Sequence, residues 1–129
     1  MSKYVVIHSA FGDLCEPVAF VTATHCEQVY EKTNTISRPW WENEGVVKGA
    51  KEGYRSTSVD DIIVQFTDKG ELVSVNVVDH TGYKEMPAEI EVMIYVADGH
   101  IRSFVTLTRE AVERVAKEWF NNCNHIDLS

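Results

Sequence analysis

The residues most able to do chemistry in this chain cluster in one stretch, "RPWWENEGVVKGAKEGYR", residues 38–55. It holds Arg38, Trp40, Trp41, Tyr54 and Arg55, the side chains that carry disproportionate binding energy at interfaces and stack on planar ligands. Adjacent residues of an extended segment point to opposite sides, so Trp40 and Trp41 are expected to differ sharply in exposure. The inward one would cover a hydrophobic face, and the outward one, with Arg38, would meet a protein partner or a nucleotide-like small molecule.

Other chemistries are less well supplied. His25-Cys26, Cys123-x-His125 and Cys15 are soft ligands, but they lack paired Cys-x-x-Cys or His-x-x-x-His spacing, so no metal is expected. No Gly-x-Ser-x-Gly elbow is present, and Gly45, Gly49 and Gly53 lack the Gly-Lys-Ser/Thr ending of a phosphate loop. Acid–base groups are present at strand ends and turns, namely Tyr54, Tyr83, His80, His100, Glu85 and Glu89. No cofactor is implied.

Composition narrows the classes further. A chain of 129 residues with 44% hydrophobic and 25% charged residues is expected to be one globular domain spanning 1–129. A net charge of −8, with scattered basic residues, argues against direct nucleic-acid binding. The first residues hold too short an apolar run for a signal peptide, and no stretch reaches membrane-spanning length. Three cysteines cannot all pair, which suits a reducing, cytoplasmic setting.

The elements that must position these residues are legible mainly in the second half. Residues 4–8 and 18–23 read as strands, and Thr24-x-x-Glu27 reads as a capping box opening a helix over 25–33. Residues 34–58 show neither helical nor strand period. Residues 59–67 and 72–78 form a hairpin about Lys69-Gly70, pairing Phe66 with Val73, Val64 with Val75 and Ile62 with Val77. Residues 90–96 and 101–107 form a second about Asp98-Gly99, pairing Val96 with Ile101 and Val92 with Val105. Its outer face, Met93, Tyr95 and Phe104, is apolar enough to need cover from the tryptophan segment or from another copy of the chain. Thr108 caps a last helix whose stripe is Ala111, Val112, Val115, Ala116, Trp119 and Phe120, with a stop at Asn121-Asn122.

The opening run, Tyr4-Val5-Val6 through Ser9-Ala10-Phe11 to Leu14-Cys15, resembles the first strand of small phage S-adenosylmethionine lyases. The likeness covers about a dozen residues and carries over no catalytic residue. A helix that the family places between its strands falls where this chain reads as a hairpin. What the resemblance implies is a small lyase as the alternative activity.

The expectation is therefore an α+β fold: an antiparallel sheet of four to six strands, with two consecutive hairpins in its second half. A C-terminal helix and a short helix from the first half pack on it. The function expected is that of a small acidic binding protein, accessory or inhibitory, acting as a homo-oligomer. The alternative is a cofactor-free enzyme working on a nucleotide-like metabolite through tyrosine and carboxylate groups.

Overall fold

The computed structural model describes residues 2–9, 15–35, 37–46, 55–96 and 101–124. It is α+β, as the patterning requires. Five antiparallel strands make one sheet: β1 (Ser2–His8), β2 (Glu16–Ala23), β3 (Ile62–Phe66), β4 (Leu72–Asp79) and β5 (Gly82–Glu85), in the order β2-β1-β3-β4-β5. A separate two-stranded sheet follows, β6 (Glu89–Val96) with β7 (Ile101–Thr108). Two helices, α1 (Cys26–Thr33) and α2 (Arg109–Asn124), complete the fold.

The central strands are buried on both faces, which explains why β1 and β3 read as nearly continuous apolar runs. Val5, Ile7, Ile62, Val64, Val75 and Val77 face α2 and the inner side of the β6–β7 hairpin. Tyr4, Val6, Ile63 and Val78 face α1 and the Trp40 segment. Ile63 is fully buried, so the hairpin of β3 and β4 is covered on both faces.

The helix α2 takes its place through a stripe with a period near four: Val112, Ala116, Phe120 and Cys123 are buried, and Ala111, Val115 and Trp119 flank them. The Thr108 hydroxyl accepts from the Ala111 amide at 3.1 Å, the cap foreseen. The helix runs past Asn121-Asn122 to Asn124, which brings Cys123 into the core. Phe120 lies between Phe66 and Phe20, with ring centroids 4.7 and 5.4 Å away.

The register of β6 with β7 is the one expected, from Val96 opposite Ile101 to Ile90 opposite Leu107. The β3–β4 hairpin departs from expectation at its tip. Thr67 N–H donates to the Glu71 carbonyl and Gly70 N–H to the Thr67 carbonyl, so the turn is longer than Lys69-Gly70 alone. Gly70 has φ +90, and an added Cβ would sit 2.9 Å from Phe120 Cε1. The extra residue makes a bulge: Phe66 pairs with Leu72, and Val73 is left 52% exposed. Val64, Val75 and Val92 are buried as expected, while Val105 and Val115 are half-buried at the margin of the same cluster.

Two local expectations are corrected. The capping box does not close on Glu27: Gln28 Oε1 reaches back to accept from both Thr24 N and Thr24 Oγ1, each at 2.9 Å. Gly82-Tyr83-Lys84, read as a turn, lies in the edge strand β5; four residues are too few to show alternation.

Candidate functional site

The residues singled out in the sequence do not form one site. Residues 40–42 are a short 3-10 helix, in which neighbours turn by about 120° rather than 180°. Both indoles therefore reach the same cluster on the α1 face: Trp40 is 2% exposed, Trp41 is half-buried, and their rings meet edge to face at 5.7 Å. They cover Tyr4, Val6 and Val21 rather than the outer face of the β6–β7 hairpin, which lies across the sheet. Arg38 is exposed, and Tyr54 lies outside the described residues.

Arg55 has a structural partner. Its guanidinium grips the buried Asp61 carboxylate with Nη1 at 2.6 Å from Oδ2 and Nη2 at 2.8 Å from Oδ1. The amides of Ser9 and Ser58 donate to the same carboxylate at 2.9 and 2.8 Å. This knot ties the segment before β3 to the end of β1, some fifty residues away in sequence. His8 Nε2 lies 3.4 Å from Thr57 Oγ1 and 3.9 Å from Asp61 Oδ2. A hydroxyl, an imidazole and a carboxylate are thus close, but they form no nucleophilic relay. One nitrogen faces both partners, whereas a relay uses the two ring nitrogens separately. All three side chains are also fully buried.

An open concavity lies elsewhere, between α1 and the β4–β5 turn. A cleft of about 390 Å³ is lined by Glu27, Tyr30 and Glu31 of α1, by Val59, and by Val78, Asp79, His80, Gly82 and Tyr83. The helix places Glu27 and Glu31 on one face because residues four apart are neighbours. Across from them Asp79 accepts from Thr81 N at 2.9 Å and Thr81 Oγ1 at 3.0 Å. These bonds hold its carboxyl below the ordinary range.

Tyr83 forms the floor of this cleft. Burial drives its phenol well above the usual value, and the nearby Cys26, Glu27, Glu31 and Tyr4 reinforce the shift. Its hydroxyl is buried without a hydrogen-bond partner among the described residues, while the ring packs against the α1 cluster. The cleft thus combines two tyrosine rings with three carboxylates, and neither lysine nor arginine is among its lining residues.

The sequence held one faint signal of this cleft. Glu31 lies in the last turn of α1, where the helix dipole disfavours an acid, and four residues from Glu27, whose like charge disfavours it again. Two small local penalties at one residue mark a side chain kept for something other than helix stability. His80 and Tyr83 were visible as turn residues, but their meeting with α1 depends on the sheet order.

The cysteines are separated by the sheet. Cys26 joins the α1 cluster and Cys123 the α2 cluster, so the two do not meet. Burial pushes the Cys123 thiol up to about 11 and raises Cys26 as well. Among the described residues no three of His, Cys, Asp and Glu come together as a metal site, and no helix is long and apolar enough to cross a membrane. No protein-family model, no curated protein and no solved structure matches the chain.

Proposed function

We propose that this protein acts by binding, and that its ligand is a small organic cation held in the cleft between α1 and the β4–β5 turn. The observation that carries this reading is the lining: the rings of Tyr30 and Tyr83 among Glu27, Glu31 and Asp79, with no lysine or arginine among the lining residues and Lys84 acting only on Asp79 from outside them. A cation over an aromatic face gains about 0.5–2 kcal/mol, depending on how far it is desolvated. A carboxylate a few ångströms away adds about 1 kcal/mol at a water-like dielectric. Two rings and three carboxylates then supply roughly 4–7 kcal/mol, a Kd of about 0.01–1 mM.

The electrostatics favour binding over proton transfer. Tyr83 is held as a neutral phenol and Asp79 as a weakly basic carboxylate, so neither is poised near neutral pH. A phosphate would be repelled by three carboxylates, which narrows a nucleotide-like ligand to one with a positive centre. A lysine or arginine side chain offered by a protein partner has the same chemistry, and that supports the accessory or inhibitory role.

A second reading is favoured by the pairing of aromatic walls with carboxylates. A nucleoside bearing a sulfonium, such as S-adenosylmethionine, presents both a flat base and a positive charge. Calorimetric titration at low salt with choline, spermidine, arginine amide and S-adenosylmethionine, followed by mass spectrometry of the recovered ligand, separates the readings. Saturable binding that returns the ligand unchanged, and that weakens in Glu31→Gln, supports the binding protein. Consumption of S-adenosylmethionine establishes the enzyme instead. Absence of binding by all four overturns both.

A further inference from the structure

The β6–β7 hairpin is a two-stranded sheet that pairs with no other described strand. Two-stranded ribbons are marginal unless covered or extended. Its inner face is covered, since Val92 and Leu107 enter the α2 core. Along β6 the hairpin faces the body of the protein across a cleft of about 440 Å³, with Val77 and Lys84 on one side and Ile90, Glu91, Val92, Met93 and the Phe104 ring of β7 on the other. That leaves the edge of β7.

Natural edge strands are blunted by prolines, lysines, bulges or short length. The strand β7 has no proline, lysine or bulge, and its one charged side chain is Arg102. It is eight residues long, "IRSFVTLT", with an unbroken register to β6. Phe104, at its middle, is 65% exposed.

We infer that β7 is the docking edge for a second copy of this chain, paired antiparallel about a two-fold axis at Phe104. The register supplies the argument. On the outer face Glu91 stands opposite Thr106 and Met93 opposite Phe104, and the backbone register continues to the pair of Tyr95 with Arg102. Centring the two-fold on Phe104 sets Arg102 of the second copy opposite Thr106, in the row that begins with Glu91. Strands about 4.8 Å apart then place Glu91 and that arginine about 10 Å apart at Cα, within reach of two long side chains. The row reads Glu91, Thr106, then Arg102 of the second copy, and the two-fold repeats it on the other side. Between the two rows runs an apolar one: Met93, Phe104, and the same pair from the second copy.

The arrangement is self-complementary in charge as well as shape, which an isologous interface requires. It also explains how a chain of net charge −8 can meet itself. The docking strand carries only the positive Arg102, while β6 carries Glu89 and Glu91 and would repel its own copy.

Sedimentation velocity from micromolar to millimolar protein tests this, with Arg102→Glu, Glu91→Arg and the double exchange. Glu91, Arg102 and Phe104 are exposed, so circular dichroism should be unchanged in every variant, as should melting at protein concentrations where the wild type is monomeric. The expected result is a wild-type dimer. Each single variant should weaken it by about ten-fold or more, and the double exchange should restore it. A wild type that stays monomeric throughout overturns the inference. So does a dimer indifferent to Arg102→Glu, or a double exchange that remains as weak as the single variants. None of these outcomes depends on the cleft, so ligand binding and self-association fail or succeed separately.

Discussion

Asp61 should be the most sensitive polar residue in this protein. Its carboxylate is fully buried and receives two bonds from Arg55 and two from backbone amides. Charge-assisted hydrogen bonds contribute about 1.5–3 kcal/mol each, but Asp61→Ala does not forfeit the full sum. Arg55 is 27% exposed and recovers water, whereas the amides of Ser9 and Ser58 lose the carboxylate that received their hydrogens. The net cost should be about 3–5 kcal/mol, a large share of the ~5–15 kcal/mol available to a domain. Arg55→Ala should cost at least as much, because it leaves a buried carboxylate without the guanidinium that neutralises it. The two changes share one interaction, so the double variant should be less destabilised than the sum by about 2 kcal/mol or more. Urea unfolding of the four proteins gives the cycle directly, and Asp61→Ala should also lower Tm by about 10–20 °C. Additive effects, or a Tm within a few degrees of wild type for Asp61→Ala, would refute the buried pair.

Trp40→Ala should cost about 3–5 kcal/mol in thermal unfolding, the range for a truncated core aromatic, and Trp41→Ala distinctly less, because Trp41 keeps part of its surface in water. Equal losses would mean that the 3-10 geometry is wrong. Cys123, with its thiol raised to about 11, should react with iodoacetamide in the native state at a rate that climbs about ten-fold per pH unit between 7 and 10. Rapid native labelling at pH 7 would contradict its burial. Gly70→Ala should destabilise by about 1–3 kcal/mol, since φ is +90 and the new methyl would sit 2.9 Å from Phe120 Cε1; an unchanged midpoint would argue against the bulged turn.

How much of this the sequence could reveal depends on how local the cause is. The β6–β7 register follows from alternation and one Asp-Gly turn, and every pair named from them is found. The β3–β4 tip was misjudged because Asp68-Lys69-Gly70 fits both a two-residue turn and a longer one with a bulge. The twin tryptophans misled because their opposition holds only in extended backbone, and Pro39 instead opens a 3-10 turn. Arg55 was picked out as a ligand-binding residue, whereas its guanidinium is held by Asp61, a partner that comes together with it and the Ser9 amide only in the fold. The cleft was illegible for the same reason. Its two walls, α1 and the β4–β5 turn, are some fifty residues apart in sequence, and only the sheet order β2-β1-β3-β4-β5 with α1 on one face brings them together.

The central claim is that the acidic, tyrosine-walled cleft is where this protein meets its ligand. The most direct measurement is a two-dimensional NMR titration of the labelled protein with spermidine and with choline at low salt. Saturable shifts should be concentrated at Glu27, Tyr30 and Glu31 of α1 and at Asp79, His80 and Tyr83, and they should fade in Glu31→Gln and at high salt. Shifts spread evenly over the acidic surface, or centred on the β6–β7 hairpin and leaving Tyr83 unmoved, would contradict the account.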